Sequence, residues 1–302
     1  MTQNDRRMLL VHAHPDDETI GTGATMAKYV AEGARVTLIT CTAGEEGEVL
    51  VPELAHLASS EQDGLGDHRV GELEDAMKIL GVTDHRFLGG FGHFRDSGMK
   101  WGDDGHATAM DDTRPDTFWH ADLTAAANLL VEIIRTEKPQ VVVTYDEFGG
   151  YGHPDHVQAH RVTTYAVALA CIPSYRRDLG DAWDVPKVYW TAMSASRMAA
   201  GIRELRASGD LTSFEGMDPD NLPPFAVADA DLTTAVEGEG FVDRKMDALR
   251  AHATQVEVDG PFFALSNNVG NKVWATEFYR IVKGKTGPVG ESGFEEDLFA
   301  GL

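Results

Sequence analysis

Apolar positions divide the first 194 residues into short and long segments that alternate along the chain. Short runs rich in β-branched residues predict five buried strands, at 8–13, 35–42, 85–88, 140–145 and 187–193. Longer segments with apolar residues every three or four positions predict helices between them, at about 19–32, 67–80, 123–137 and 154–170. Strands that alternate with helices form a parallel sheet that is covered on both faces. The pattern therefore predicts an α/β fold.

This alternation weakens after residue 194. The later pattern predicts helices at about 197–207 and 241–254, a loop at 216–224, an amphipathic segment near 274–282, and a loosely held acidic tail from residue 284. We therefore expect two regions. Residues 1–194 would form a Rossmann-like catalytic domain with a metal site at the carboxyl ends of its strands. Residues 195–302 would form a smaller α+β extension that packs against it and closes the substrate pocket.

Four polar segments follow the predicted strands. They are HPDDE at 14–18, TAGEEGE at 42–48, RDSG at 95–98 and GGYGHPDH at 149–156. Open α/β sheets bind their ligands in a crevice at the carboxyl ends of the strands. We expect the four segments to converge at that edge, and this convergence is a stronger signal than any one motif.

The first and fourth segments carry residues that suit a metal ion. His14 and Asp17 are three positions apart, as are His153 and His156. Imidazole and carboxylate bind Zn²⁺ or Fe²⁺, and a catalytic site leaves one position open for water. Asp16 could then take a proton from the bound water. A helix cap at Asp16 or Asp17 is the simpler alternative for one motif alone, but both motifs together favour a metal site.

Two further signals are weak. Gly21 and Gly23 suggest a dinucleotide fingerprint, but Met26 stands where that fingerprint needs Gly or Ala, and an acidic turn precedes it. Cys41 has no neighbouring base in sequence, so a packed thiol is expected rather than a nucleophile. We therefore expect no nucleotide cofactor.

Composition excludes several classes of partner. The 302 residues hold 26 Lys and Arg against 49 Asp and Glu, a net charge of −23. Such a chain is a poor ligand for nucleic acid and is repelled by anionic membranes. Two cysteines, Cys41 and Cys171, are too few for a disulfide framework, and no apolar run approaches the roughly 18 residues of a membrane span. We expect a cytoplasmic protein.

The HPDDE and GHPDH motifs together resemble the LmbE-like, or PIG-L, family of zinc-dependent N-deacetylases. Further stretches resemble the branch of that family that acts in mycothiol biosynthesis, at 11–18, 41–49, 95–99, 141–156 and 262–268. The resemblance implies one Zn²⁺ per chain, bound by His14, Asp17 and His156, with Asp16 as the general base. Fe²⁺ could occupy the same ligands in the cell.

The resemblance also implies roles around the metal. His153 would stabilise the oxyanion or protonate the leaving amine, and Tyr151 would help to hold the tetrahedral intermediate. Three residues would bind sugar and inositol hydroxyls: Glu48, Arg69 and Asp96. To these we add Asp155, because a ligand histidine usually donates its second N–H to an acceptor.

The implied reaction removes the N-acetyl group of N-acetylglucosaminyl-inositol, a small uncharged substrate. The nearest alternative is a mycothiol S-conjugate amidase, a branch with Lys shortly after HPDDE, where this chain has Gly21. A non-haem Fe(II) oxygenase uses two His and one carboxylate but usually sits on a β-barrel. A non-catalytic sugar-binding module leaves the Asp16–Asp17 pair unexplained. The sequence leaves open whether the protein forms a homo-oligomer.

Overall fold

The computed structural model of the chain describes residues 5–102, 105–211, 217–257 and 275–302. Its strands are β1 (Arg7–His12), β2 (Arg35–Thr40), β3 (Asp84–Phe87), β4 (Lys100–Trp101), β5 (Ala107–Thr108), β6 (Val141–Thr144), β7 (Lys187–Ser194), β8 (Ala226–Val227), β9 (Thr234–Glu237) and β10 (Thr276–Lys283). Its helices are α1 (Asp17–Ala31), α2 (Leu65–Leu80), α3 (Leu123–Glu137), α4 (Pro154–Ala170), α5 (Ala195–Ala207) and α6 (Val242–Ala251).

One central sheet has the strand order β3-β2-β1-β6-β7-β10-β9, with β8 paired to β7. The first five strands in this order run parallel to one another, and β10 is antiparallel to β7 and β9. The mostly parallel α/β fold predicted from sequence is confirmed. Strands β4 and β5 form a separate hairpin.

Apolar side chains of β1 alternate between the two faces of the sheet. Met8 and Leu10 pack into a core with residues of α1, α2 and α6, whereas Leu9 and Val11 pack into a core with residues of α3 and α4. Both faces of the parallel sheet are therefore covered, as its uninterrupted apolar runs require.

The chain changes direction across the sheet at β1. Strands β2 and β3 extend the sheet on one side of β1, and β6 and β7 extend it on the other. A crevice forms outside the carboxyl ends of the strands at such a switch point. The HPDDE segment follows β1, and the GGYGHPDH segment follows β6 and runs into the first turn of α4, so both lie at this crevice.

Local sequence explains where the helices begin and end. The predicted bounds of α3 and α4 are confirmed. Asp122 caps α3 by accepting the Ala125 N–H at 2.7 Å, and Pro154 occupies the first turn of α4. The helix predicted from about residue 19 begins earlier, because α1 starts at Asp17, directly after Asp16, whose φ is 117°.

Residues after 194 continue the same sheet. The amphipathic segment near 274–282 contributes strand β10, and the helix expected at 241–254 ends at Ala251 as α6. Because β10 pairs with β7, backbone hydrogen bonds of one sheet join the predicted extension to the predicted catalytic domain. The division into two regions stays a prediction.

The expectation of a loosely held acidic tail is wrong. Glu295 is fully buried and accepts hydrogen bonds from Lys187 Nζ at 2.6 Å and from the Tyr189 hydroxyl at 2.7 Å. Leu298 and Phe299 are buried in the core beside α1. The composition of the tail suggested solvent exposure, but one acid and two apolar residues anchor it. Within the described part of the chain, no helix is both long and apolar enough to cross a membrane.

Candidate metal and catalytic site

The polar segments meet at the carboxyl ends of β1 and β6, around a cavity of about 660 Å³. The residues predicted from sequence that line it are His14, Asp16, Asp17, Glu48, Arg69, Asp96, Tyr151 and His153. His156 lies directly behind them, with its ring centroid 5.0 Å from that of His153. The segments predicted to converge therefore do so.

His14 lies between carboxylates on both sides of its ring. Its Nε2 is 3.2 Å from Asp155 Oδ2 and 3.4 Å from Asp96 Oδ1, and its Nδ1 is 3.1 Å from Asp17 Oδ2. Burial alone would lower the pKa of His14, but the carboxylates raise it well above its ordinary value. The same negative field favours any cation at this position.

His156 has one imidazole nitrogen that makes no hydrogen bond. Its Nδ1–H donates to the Gly149 carbonyl at 3.2 Å, which leaves Nε2 unprotonated in the neutral ring. That Nε2 is buried and makes no hydrogen bond, although Asp17 Oδ1 is 3.2 Å away. Burial would raise the pKa of Asp17, but His156 and His14 hold it well below its usual value.

These donors fit a divalent metal ion. An orphaned imidazole nitrogen, a second imidazole and an ionised carboxylate face one another, and nitrogen and oxygen donors of this kind bind Zn²⁺ or Fe²⁺. Among the described residues, the groups whose ligand atoms all lie within 4.8 Å of one another do not include Asp17: they are His14, His153 and His156, and His14, Asp96 and Asp155.

The two acids of the second group are already hydrogen-bonded. Asp155 accepts from the Ser97 N–H at 2.9 Å and from the Ser97 hydroxyl. Asp96 accepts from the Glu46 N–H at 3.2 Å and the Gly98 N–H at 2.9 Å. Their remaining contact with His14 is typical of acceptors that orient a ligand histidine.

Asp16 occupies an unusual backbone conformation at the edge of the cavity. Its φ is 117° and its ψ −39°, and its N–H donates to Glu18 Oε2 at 2.9 Å. Its carboxylate accepts from Arg69 Nη2 at 3.1 Å. Burial and the nearby charge of Asp17 raise the pKa of Asp16 to about 6, although Arg69 opposes the shift.

His153 precedes α4 and caps it with its own ring. Its Nδ1 accepts the Asp155 N–H at 3.1 Å, so the proton of the neutral ring lies on Nε2. Burial, together with His14 and His156, lowers the pKa of His153 well below its ordinary value. His153 is therefore a neutral imidazole with one N–H available to a ligand.

The other predicted contact residues surround this centre. Half-buried Tyr151 has its ring centroid 5.0 Å from that of His156, and burial raises the pKa of its hydroxyl. Glu48 is exposed at the rim. Arg69 is buried, and besides Asp16 it donates to the Gly44 carbonyl at 2.9 Å and to the carbonyl of Pro15.

Sequence reasoning missed three residues behind the site. Tyr145 ends the strand segment 140–145, stacks on His156 with ring centroids 4.2 Å apart, and accepts the Ala13 N–H at 2.9 Å. Glu18 was visible as the last residue of HPDDE, yet it received no role. His252, 3.0 Å from Glu18 Oε1, lies far along the chain and gave no local signal.

A family model described as "PIG-L: GlcNAc-PI de-N-acetylase" matches residues 9–167, more than half of the chain. This chain belongs to the PIG-L family. The match covers HPDDE, GGYGHPDH and the strands between them. The stretch at 262–268, which also carried the resemblance, lies outside the described residues.

Two relatives resemble the chain over almost its full length. A protein of a Nocardioides species is 66% identical over 99% of both chains. A protein of Kribbella flavida is 65% identical over 99% of this chain and 98% of its own. Both are named 1D-myo-inositol 2-acetamido-2-deoxy-alpha-D-glucopyranoside deacetylase.

Solved structures share the fold at low sequence identity. The N,N'-diacetylchitobiose deacetylase of Pyrococcus horikoshii is 19% identical, with a TM-score of 0.60 over 92% of this chain and 84% of its own. The 4-carboxy-2-hydroxymuconate hydratase GalB of Pseudomonas putida is 16% identical, with a TM-score of 0.57 over 94% and 98%. A deacetylase and a hydratase have this fold in common, so the fold alone does not define the reaction.

Proposed function

We propose that this PIG-L-family protein hydrolyses the N-acetyl group of 1D-myo-inositol 2-acetamido-2-deoxy-α-D-glucopyranoside in mycothiol biosynthesis. The products are acetate and the free amine, glucosaminyl-inositol. The observation that carries the proposal is the 66% identity, over 99% of both chains, with a relative of that name. The donors around the cavity supply the chemistry that amide hydrolysis needs.

His14, Asp17 and His156 would hold a zinc ion. The proposal is supported by the unprotonated Nε2 of His156, which is buried and makes no hydrogen bond. When bound, a zinc ion would polarise the acetyl carbonyl and acidify a bound water. Asp155 would orient His14 through the contact at Nε2. The same donors accept Fe²⁺.

Asp16 would act as the general base. A carboxyl whose pKa is about 6 is ionised at neutral pH and still binds a proton readily, which suits a group that must take and return one. Arg69 fixes the direction of the carboxylate. Asp16 takes a proton from the attacking water, whose oxygen forms a bond to the acetyl carbon.

His153 and Tyr151 would donate hydrogen bonds to the oxygen that becomes negative as the carbonyl is attacked. Fixed donors at that oxygen lower the barrier more than they favour the bound substrate. A neutral His153 has no proton to spare for the leaving amine, so we assign that step to Asp16. Asp16 returns its proton to nitrogen as the C–N bond breaks, and acetate and the amine leave.

Glu48, Arg69 and Asp96 would bind substrate hydroxyls, since all three line the cavity and offer acceptors or donors. A volume of about 660 Å³ lies in the usual range for a small-molecule site, roughly 300–1,000 Å³. We further propose that residues after 194 close this pocket, because Arg197, Met198 and Phe225 are among the residues that line it.

The test is acetate release from the N-acetylated glucosaminyl-inositol, measured beside a mycothiol S-conjugate. We expect faster turnover of the first compound, loss of activity with a chelator, and recovery when zinc is added back. Faster cleavage of the S-conjugate would contradict the assignment. Oxygen uptake in the presence of an oxo-acid, without acetate release, would make the protein an oxygenase.

A further inference from the structure

A buried acid–imidazole pair lies directly behind Asp16. Glu18 and His252 are both 0% exposed, and His252 Nε2 is 3.0 Å from Glu18 Oε1. Thr19 donates its hydroxyl to the same oxygen at 2.5 Å. The other carboxylate oxygen, Oε2, accepts the Asp16 N–H at 2.9 Å. The pair therefore contacts the backbone of Asp16 without lining the cavity.

Asp16 needs such support because its backbone is strained. A φ of 117° is unfavourable for any residue that has a Cβ, and it persists only where the surroundings impose it. The first turn of α1 bonds to the Asp16 carbonyl through the Thr19 and Ile20 N–H groups, both at 2.9 Å. Glu18 is the acceptor for the N–H on the other side of the same residue. The orientation of that peptide fixes where the side chain points.

The chain at the end of α6 is also held by contacts other than that of the His252 imidazole. Two residues further on, Thr254 donates its N–H and its hydroxyl to Glu72, at 2.8 Å and 2.7 Å. The Leu50 N–H also donates to the Thr254 carbonyl at 2.9 Å. The chain after α6 therefore has contacts that do not involve the His252 imidazole.

We propose that Glu18 and His252 are positioning residues that hold the strained backbone of Asp16 and so direct its carboxylate toward the reacting amide. This inference rests on the proposed function. His252 holds the Glu18 carboxylate in place through the contact at Oε1, and Glu18 accepts the Asp16 N–H through Oε2. Residue 252 thereby acts on the reaction without touching substrate or metal.

The test compares alanine with glutamine at each position, by kcat, KM and zinc content. Glu18→Ala removes the acceptor for the Asp16 N–H, and His252→Ala leaves Glu18 without its buried partner. A small misplacement of a catalytic group costs up to about 100-fold in rate, so we expect kcat to fall about 10- to 100-fold. KM and the zinc content should remain those of the unaltered enzyme.

Glutamine should rescue both positions. In Glu18→Gln the amide oxygen still accepts the Asp16 N–H, and in His252→Gln the amide still donates to Glu18. We expect kcat of both variants to return close to that of the unaltered enzyme. The matched control is Glu295→Ala, which empties another fully buried acid, the partner of Lys187. It should lower the melting temperature and leave kcat unchanged.

Several results would overturn the inference. Unchanged kcat in Glu18→Ala or His252→Ala would do so, as would a fall in kcat matched by an equal loss of zinc. If Glu18→Ala does not fold, the comparison of His252→Ala with His252→Gln decides, and equal kcat in these two overturns it. No acetate release by the unaltered enzyme would overturn the proposed function as well, whereas normal release by enzyme and variants alike overturns only the positioning role.

Discussion

Asp16 and Asp17 are neighbours in the chain, yet the pKa values of their carboxyl groups are shifted in opposite directions. Burial raises the pKa of Asp16 to about 6, whereas the two imidazoles beside Asp17 hold its pKa well below the usual value. Environments that separate two adjacent carboxyl groups in this way assign them different tasks. The permanently ionised Asp17 suits a cation, and Asp16 suits proton transfer.

The pH dependence of the reaction should reveal Asp16. Its carboxyl must be ionised to accept a proton, so the active form predominates above a pH of about 6 and is lost as the pH falls below it. We expect kcat/KM for acetate release to fall tenfold per pH unit on the acid side. Asp16→Asn should lower kcat about 10²- to 10⁴-fold, keep its zinc, and lack that acid limb. An unchanged acid limb in Asp16→Asn would assign it to another group.

His153 and His156 are three residues apart, and removal of their side chains should have different effects on zinc content and kcat. His156→Ala deletes the nitrogen that has no hydrogen bond, so we expect zinc to be lost. His153→Ala deletes a donor whose other nitrogen caps α4, so we expect zinc to stay and kcat to fall roughly 10²- to 10³-fold. Metal analysis of the purified variants distinguishes them. Zinc lost from His153→Ala would favour the set of three histidines.

At the scale of elements, the loop between β6 and α4 carries Tyr151 and His153, and His156 follows in the first turn of α4. It packs against the β4–β5 hairpin, where the Ala107 N–H donates to the Tyr151 carbonyl at 2.8 Å. At Gly152, with φ +103°, a Cβ would lie only 2.5 Å from the Ala107 carbonyl oxygen. The glycine therefore lets the hairpin approach the loop that carries Tyr151 and His153.

Gly152→Ala should displace that loop. We expect the variant to lose about 1–3 kcal/mol of stability through the backbone strain alone, and kcat should fall because Tyr151 and His153 move with it. Gly150→Ala is the matched control. Its φ is also positive, at +66°, but nothing lies within 4 Å of the added Cβ. Melting temperature and kcat of the two variants test this, and equal kcat would contradict it.

Elements set by local pattern were predictable from the sequence. The bounds of α3 and α4 follow from Asp122, Pro154 and the spacing of apolar residues, and parallel strands bring HPDDE and GHPDH to one edge. Contacts between distant segments were not predictable. No local signal links His252 to Glu18, which is 234 positions away. The acidic residues near Glu295 predicted a solvent-exposed tail, because composition does not reveal which acid pairs with a buried lysine.

At the scale of the whole molecule, the net charge of −23 should have little effect on catalysis. The proposed substrate is uncharged, so the field of the protein neither attracts nor repels it. We expect kcat/KM to stay constant as ionic strength rises from about 0.01 M to about 1 M, where the Debye length shrinks from about 30 Å to about 3 Å. A steep decline with salt would indicate a cationic substrate instead.

The buried contact between Lys187 and Glu295 has a consequence for biosynthesis. The two residues are 108 positions apart. At about 5–20 residues per second, translation would take roughly 5 to 20 s to deliver Glu295 after Lys187. Throughout that interval the Lys187 ammonium group lacks the Glu295 carboxylate that neutralises it in the folded core. Strands β1 to β3 and β6 can assemble on the nascent chain. We expect β7 to be buried only after Glu295 has been synthesised.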